Sequence, residues 1–526
     1  MTQPIWIDGH WRPAESPTET FQAVSPVDCE AFGDTFPISS FEDVQDALSA
    51  GCKAAEDMRG LSPEPIALFL KAYADLIEKQ ASILVQTAAR ETGLPAVPRL
   101  RDIELPRTCD QLRQAAEAAR DRSWRMAVID RRLNIRSWHG PLAGPVVILG
   151  PNNFPLAFNS ISGGDFTAAL SAGNPVIAKG HPGHPNTTRL LAESAHEALN
   201  RSRLPRAAVQ LIYHMHPKDG SRLAAHPSIG ALAFTGSRGA GLKLKQAAEE
   251  AGNPVYLEMS GINPVILLPY ALQERSEEIA AEFSTSCTLG AGQFCTNPGL
   301  VILIEDEWAS RFLKSLADNL AAAPRGTIGS RQVLTGWSAA LKELQLHGAE
   351  IITGGETEFS SPLKASNTLL QVSAKTFLAH SSKLQTEAFG PSTLAVLTRD
   401  SEELLAVVSG LEGNLTGSIY SHSQELDDEL YSLVAPVLRD KVGRLLNDRM
   451  PTGVAVSPAM HHGGPFPATG HPGFTSVGIP RSMLRFTALQ CYDNVRPHRL
   501  PPELQDKNPT GRMWRYIDGT WSQSDI

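Results

Sequence analysis

The sequence predicts an α/β fold with a parallel sheet covered on both faces, and three observations predict it. Between 146 and 258 five short apolar runs recur: Val146–Leu149, Val176–Ala178, Val209–Ile212, Ala231–Phe234 and Val255–Leu257. Their starts lie 22 to 33 residues apart, about the size of a βαβ unit. Four of the runs are apolar throughout and the fifth is broken only by Gln210, rather than alternating, as strands buried on both faces are. The intervening segments have helical character, which completes the alternation of strand and helix. A second set of runs at 301–304, 394–397, 416–420 and 453–457 predicts another α/β unit over roughly 259–470. Ligands on such sheets bind beyond the carboxyl ends of the strands, so the loops after Leu149, Ala178, Phe234 and Leu257 hold the interest.

The first 120 or so residues read as a leading segment followed by helices. Ser40 precedes Phe41 with Asp43 three residues after the serine, an N-cap pattern for a helix over 41–58. Ser62-Pro63 opens a second helix, on which Ile66, Phe69, Leu70, Tyr73, Leu76 and Ile77 share one face, and Gly93 is a stop. Residues 124–138 read as a hairpin around Asp130-Arg131-Arg132. Such a hairpin either pairs within its own chain or adds its edge to another subunit. The tail from Pro497 is rich in proline and polar residues, yet Trp514, Tyr516 and Trp521 predict that it docks.

Composition narrows the function class. At 526 residues the chain is long enough for two large domains or about three of ordinary size. Gly (42) and Pro (38) stay well below the roughly 25–30% that marks disorder, so a sizeable core is expected. The balance of 47 basic against 56 acidic residues argues against a nucleic-acid partner. The start MTQPIWIDGHWRP lacks a basic region followed by an apolar run. The uncharged stretches within 137–164 and 283–304 are broken by Gly, Pro and Asn, so no membrane span is expected. Six scattered cysteines without a CxxC pair predict neither a disulfide framework nor a metal site, and fit a reducing cytoplasm.

Four places carry candidate chemistry. Cys295, in Gly-Gln-Phe-Cys-Thr-Asn, follows Gly290 and Gly292, whose backbone can approach a ligand. It is either a nucleophile or a small buried hydrophobe; Cys287 reads as core. Glu258 closes the run Val255-Tyr256-Leu257, where apolar surroundings raise a carboxyl pKa and suit a general base; a structural pairing with an arginine is the alternative. Asn153, with Asn152 before it, follows the first strand and offers an amide to an oxyanion or caps a turn. Thr235, Gly236 and Ser237 stand at a strand end before a helix near Gly239, a place that favours phosphate, although no GxGxxG is present.

Taken together, PNNFP at 151–155, FTGS at 234–237, LEMSG at 257–261, GQFC at 292–295 and EAFGP at 387–391 resemble the aldehyde dehydrogenase superfamily in order and spacing. The resemblance implies a Rossmann-like cofactor domain (1–123 and 139–258) and an α/β catalytic domain (259–470). It further implies a β-hairpin oligomerisation extension (124–138 and 485–496) beside the docked tail (497–526), in a homodimer or homotetramer. It implies that Cys295 attacks an aldehyde and that Asn153 and the Cys295 N–H hold the oxyanion. Hydride then passes to a nicotinamide, and Glu258 activates the water that releases an acid. Glu387 and Phe389 would hold the nicotinamide ribose and pack near its ring. Retention of Cys295, Glu258 and Asn153 opposes a non-catalytic relative, and Glu258 opposes acyl transfer to coenzyme A.

Many members of that superfamily read Lys-Pro-Ser-Glu at the second strand end, and their glutamate grips the adenosine ribose of NAD. This chain reads Lys179-Gly180-His181-Pro182. Loss of the acid, with Lys179 and His181 as donors for a 2′-phosphate, predicts a preference for NADP, with NAD as the other possible cofactor. The segments NNFPLAFNSISGGD, KGHPGHPNT, LEMSGINPVILLP, PTGVAV, HHGGPFPAT and NPTGRMWRYIDG resemble the α-ketoglutaric semialdehyde (2,5-dioxopentanoate) dehydrogenase group. The KGH segment is shared with NADP-dependent fatty-aldehyde dehydrogenases. A semialdehyde that carries a carboxylate needs a cation or several donors at the far end of its tunnel. Arg481, Arg485, His461 and His462 are available after residue 450, and the sequence assigns none of them.

Overall fold

The computed structural model describes residues 2–15, 19–259 and 261–526. All five apolar runs of the first half are strands, and each gains one residue or none at its ends: Val146–Leu149, Val176–Lys179, Val209–Ile212, Ala231–Thr235 and Val255–Glu258. They pair in parallel in the order 255–258, 231–235, 146–149, 176–179, 209–212, and the hairpin of Ile5–Ile7 and His10–Arg12 extends the far edge antiparallel. The chain runs outward from 146–149 in both directions, so the strand order reverses between 146–149 and 231–235. Such a switch point opens a crevice at the carboxyl edge. Register places Leu149 beside Lys179 on one side and Phe234 on the other, with Thr235 beside Glu258. The four strand ends singled out by sequence therefore share one rim.

The helices over this sheet form for local reasons. In Phe41–Met58 the Ser40 hydroxyl accepts from Asp43 N and the Asp43 carboxylate accepts from Ser40 N, a reciprocal cap worth about 1 kcal/mol. The next helix, Glu64–Lys79, has Pro63 at its start and no side-chain cap. Its apolar face is buried, and Phe69 and Tyr73 pack on Phe166 under the sheet. Gly93 ends the third helix in the left-handed conformation, φ 70°, that favours glycine.

A second seven-stranded sheet follows, in the order 350–353, 368–373, 392–398, 300–304, 264–267, 414–420, 442–447, with its own buried clusters on either side. One expectation fails here. The run 453–457 is not a strand, and the edge position belongs to Val442–Asn447, paired with Asn414–Tyr420. The Val-Ala-Val run lies between Pro451 and Pro458, and Val454 and Val456 pack instead against Phe154, Phe158 and Phe294. It is apolar because it lines a wall of the site.

The 124–138 region gives strands Val128–Asp130 and Ile135–Pro141. The second pairs antiparallel with Thr487–Asp493, and the first pairs in parallel with Arg515–Ile517 from the tail. Tail anchoring comes from Leu500, Leu504, Met513 and the fully buried Arg515, while Trp514 and Trp521 stay half-exposed. No helix among the described residues is long and apolar enough to cross a membrane.

Candidate active site

Cys295 sits in a turn just after a short helical segment, Leu289–Gly292, and before strand Leu300–Ile304. Asn263 holds this turn, its Nδ2 donating to the carbonyls of Cys295 (2.8 Å) and Asn297 (3.0 Å). Gly292 answers a different need from the one expected. Its φ is 67°, and a Cβ there would meet the Gly390 carbonyl oxygen at 2.2 Å. The close approach is to the backbone of the EAFGP segment, which brings GQFC and EAFGP together.

The half-buried Cys295 sulfur lies 3.4 Å from His462 Nε2, and that nitrogen lies 2.8 Å from Glu258 Oε1. One ligand atom from each of Cys295, His462 and Glu258 falls within 4.8 Å of the others. Ser476 Oγ donates to the second Glu258 oxygen, and both His462 and Glu258 are buried. The expected upward shift of Glu258 is overturned. Burial pushes its carboxyl up, but the charge and hydrogen bond of His462 and the hydrogen bond of Ser476 together hold it below the ordinary value. Its partner is a histidine rather than an arginine. The Cys295 thiol is pushed well up, first by burial and then by Glu258 and Glu387, with Arg107 pulling the other way.

Asn153 reaches the segment that carries the nucleophile. Its Nδ2 donates to the Gln293 carbonyl at 2.9 Å, two residues from the sulfur, so the side chain caps no turn. The turn that carries it is clamped: Arg99 donates to the Asn153 carbonyl, and Glu104 accepts from Leu156 N and Ala157 N while pairing with Arg99. His184 Nε2 lies 2.9 Å from the Pro151 carbonyl. Asn152 lines a small pocket with Asn153, Gly183 and Gln293.

The dinucleotide side of the rim is more mixed. Lys179 ends its strand, is buried, and has its pKa lowered to about 8 by burial; among the described residues it forms no ion pair. His181 is pulled well below its ordinary value by burial, then by His184 and Lys179, so it is a neutral group; its Nδ1 accepts from Gly183 N. His214, close enough to feel Lys179, has a buried Nδ1 with no partner. A buried cation without an acid, next to an orphaned polar atom, fits an anionic group. Gly236 fits one less well, because its N–H donates to the Glu258 carbonyl at 3.0 Å. Thr235 and Ser237 remain at the strand end, the latter exposed where the helix starts at Arg238. Glu387 borders two adjoining clefts, one shared with Phe389 and Phe294 and the other with Arg238 and Asn414. Ser260 of the LEMSG segment lies outside the described residues.

Residues 11–430 match the aldehyde dehydrogenase family. The chain belongs to that family. Among its relatives, α-ketoglutaric semialdehyde dehydrogenase 2 of Azospirillum brasilense is 39% identical over 498 residues, covering 92% of each chain. The α-ketoglutaric semialdehyde dehydrogenase of Acinetobacter baylyi is 36% identical and covers 99% of this chain and 98% of its own. In fold, this aldehyde dehydrogenase superposes on lactaldehyde dehydrogenase from Escherichia coli with a TM-score of 0.80 at 22% identity, over 93% of this chain and 98% of that one. Aldehyde dehydrogenase C of Pseudomonas syringae, determined with NAD+ and octanal, gives 0.79 at 20% identity over 95% and 98%.

Sequence reasoning missed two members of the site. His462 was noticed only as one of several late basic residues, and it faces the nucleophile rather than the far end of a tunnel. Arg485, from the same group, is buried against Asp165 at 2.6 Å. Arg107, which the Cys295 thiol feels, drew no notice because its helix reads as ordinary structure.

Proposed function

We propose that the protein oxidises α-ketoglutaric semialdehyde to 2-oxoglutarate, with NADP preferred over NAD, through a thiohemiacetal and a thioester on Cys295. The observation that carries the chemistry is the convergence of Cys295, His462 and Glu258 at the strand ends, facing Asn153. The identities of 39% and 36% to enzymes of that name support the substrate.

The sulfur of Cys295 forms a bond to the aldehyde carbon while the carbonyl pair moves onto oxygen. The thiol proton leaves to solvent as the bond forms, because His462 Nε2, 3.4 Å from the sulfur, already donates its N–H to Glu258. Asn153 Nδ2 has two N–H groups; the Gln293 carbonyl holds one and so aims the other at the oxyanion. Bound NAD(P) supplies the acceptor for the hydride that leaves the thiohemiacetal carbon with its electron pair, and a thioester remains. Glu258 takes a proton from water, the hydroxide adds to the thioester carbon, and the C–S bond breaks to release acid and thiol.

Lys179, with His181 and His214 beside it, would hold the 2′-phosphate of NADP; Asn152, Thr235, Gly236, Ser237, Glu387 and Phe389 border the rest of the dinucleotide. Lys179→Met is expected to lower kcat/KM for NADP by roughly 100-fold and for NAD far less, since a charged hydrogen bond is lost only with the phosphate. Because Lys179 loses its proton near 8, the KM for NADP should rise with pH through that value while that for NAD stays flat. A strong NAD preference in the unaltered enzyme would overturn this assignment.

The apolar wall of Phe154, Phe158, Phe294 and Val477 favours a second reading, a fatty aldehyde as substrate. Comparing kcat/KM on α-ketoglutaric semialdehyde and hexanal separates the two; equal values sink the first. We also propose a cytoplasmic homodimer or homotetramer joined through the sheet that contains Ile135–Pro141 and Thr487–Asp493. Leu489 on that outer strand is 72% exposed, and sedimentation of the full chain tests the assembly.

A further inference from the structure

Two arginines are set into the apolar wall of the site, and one of them, Arg99, lies over Phe154 at 4.4 Å and Phe294 at 5.3 Å. Arg107, on helix Leu105–Asp121, has its guanidinium carbon 5.1 Å from the Phe158 ring centre and 6.0 Å from that of Phe154. The Phe158 ring lies 6.2 Å from the imidazole of His462, which touches the Cys295 sulfur. Phe154 packs edge-on against Phe294, the residue before the nucleophile, at 5.3 Å. Two rings thus separate Arg107 from the reacting sulfur along each route, Phe158 and the His462 imidazole on one and Phe154 and Phe294 on the other.

Its bonding differs from that of every neighbouring cation. Nε and Nη2 of Arg107 are buried without a hydrogen-bond partner, and among the described residues the side chain forms no ion pair. The nearby acid is already committed, since Glu104 pairs with Arg99 and accepts two backbone N–H groups. Arg444, which also feels Cys295, directs its Nη groups to the carbonyls of Pro451 and Gly453 and so ties down the loop bearing Val454 and Val456. A buried guanidinium left unpaired is costly, and it persists where a ligand supplies the missing anion. Its planar fork matches a carboxylate in two parallel bonds, and the surrounding rings strengthen that pairing by excluding water.

We infer that Arg107 is the receptor for a remote carboxylate on the substrate, so that the enzyme selects short aldehydes bearing an acid at the other end. This deepens the proposed function and rests on aldehyde oxidation at Cys295. On this reading the aromatic wall takes the carbon chain, and the unpaired guanidinium of Arg107 takes its terminus.

The test measures kcat/KM with NADP for α-ketoglutaric semialdehyde, succinic semialdehyde and pentanal in the unaltered enzyme, Arg107→Met and Arg107→Lys. The ratio of either acid-bearing aldehyde to pentanal is expected to fall roughly 100-fold in Arg107→Met, through KM. Arg107→Lys keeps the charge without the fork and should fall in between. Thermal melting checks the fold, and if the methionine variant does not fold, the lysine variant alone decides by the same ratio. An unaltered enzyme that favours the acid-bearing aldehydes, with a ratio that the variants leave unmoved, overturns the role of Arg107 and leaves the proposed function standing. An unaltered enzyme that oxidises pentanal as well as both acids overturns the substrate reading and the receptor together.

Discussion

Cys295→Ala loses kcat/KM for every aldehyde by roughly 10⁴-fold or more, because the covalent route disappears and no other group can replace it. The companion variant Cys287→Ala keeps turnover, since that thiol is buried in a helix and pushed up to about 12 by burial. Steady-state rates on folded variants, matched by thermal melting, check both. The environment of Cys295 adds a pH signature. Burial, then Glu258 and Glu387, hold its thiol well above the usual range, so the resting enzyme carries S–H rather than thiolate. Alkylation of Cys295 by iodoacetamide in the enzyme without cofactor should therefore keep climbing through pH 7 to 9 without a plateau. Normal turnover in Cys295→Ala would remove the proposed chemistry outright.

Much of the architecture was legible because its signals are local. The strands 146–149, 176–179 and 209–212 are mainly apolar and buried along their whole length, as a doubly covered parallel strand is. Glu258 and Asn153 were legible because they follow such runs directly, where the carboxyl rim lies. Strand 442–447 was not, since an edge strand with one half-exposed face admits the Gly and Arg of VGRLLN. The opposite error at 453–457 arose because a tunnel wall asks for the same residues as a strand core. His462 was hidden by distance: it meets Glu258 across 204 residues and Cys295 across 167, from a loop with no periodicity. The same distance explains the wrong direction for Glu258. Its local sequence is apolar, whereas the groups that offset burial come from residues 462 and 476. Arg107 was hidden because one charge among several on an amphipathic helix reads as solvated, and only packing shows it facing inward.

Glu258→Gln should release one equivalent of reduced dinucleotide per active site and then stall, with steady-state turnover down by roughly 10²–10⁴-fold, the usual worth of a general base. Attack by Cys295 and hydride departure do not require the carboxylate, but hydrolysis of the thioester does, and an amide cannot take the proton. Rapid mixing with NADP and substrate reads the burst, and mass spectrometry reads the acyl group on Cys295. Rapid steady turnover without acyl enzyme would show that another group activates the water. The sign of the pH effect follows from the partners of Glu258. Burial raises its pKa, yet His462 and Ser476 outweigh burial, so the carboxyl stays ionised below the ordinary carboxylate value and is protonated only in stronger acid. The acid limb of deacylation should thus lie below that value in the unaltered enzyme. His462→Gln removes the largest offset; burial then dominates, and the limb moves toward neutral pH, with loss of rate at pH 6 that partly returns at pH 8. Glu258→Gln stalls at every pH, so the profile separates the group that takes the proton from the one that sets its pKa. A limb unmoved in His462→Gln would mean that Ser476 and the charge of Arg485 hold Glu258 ionised without the histidine.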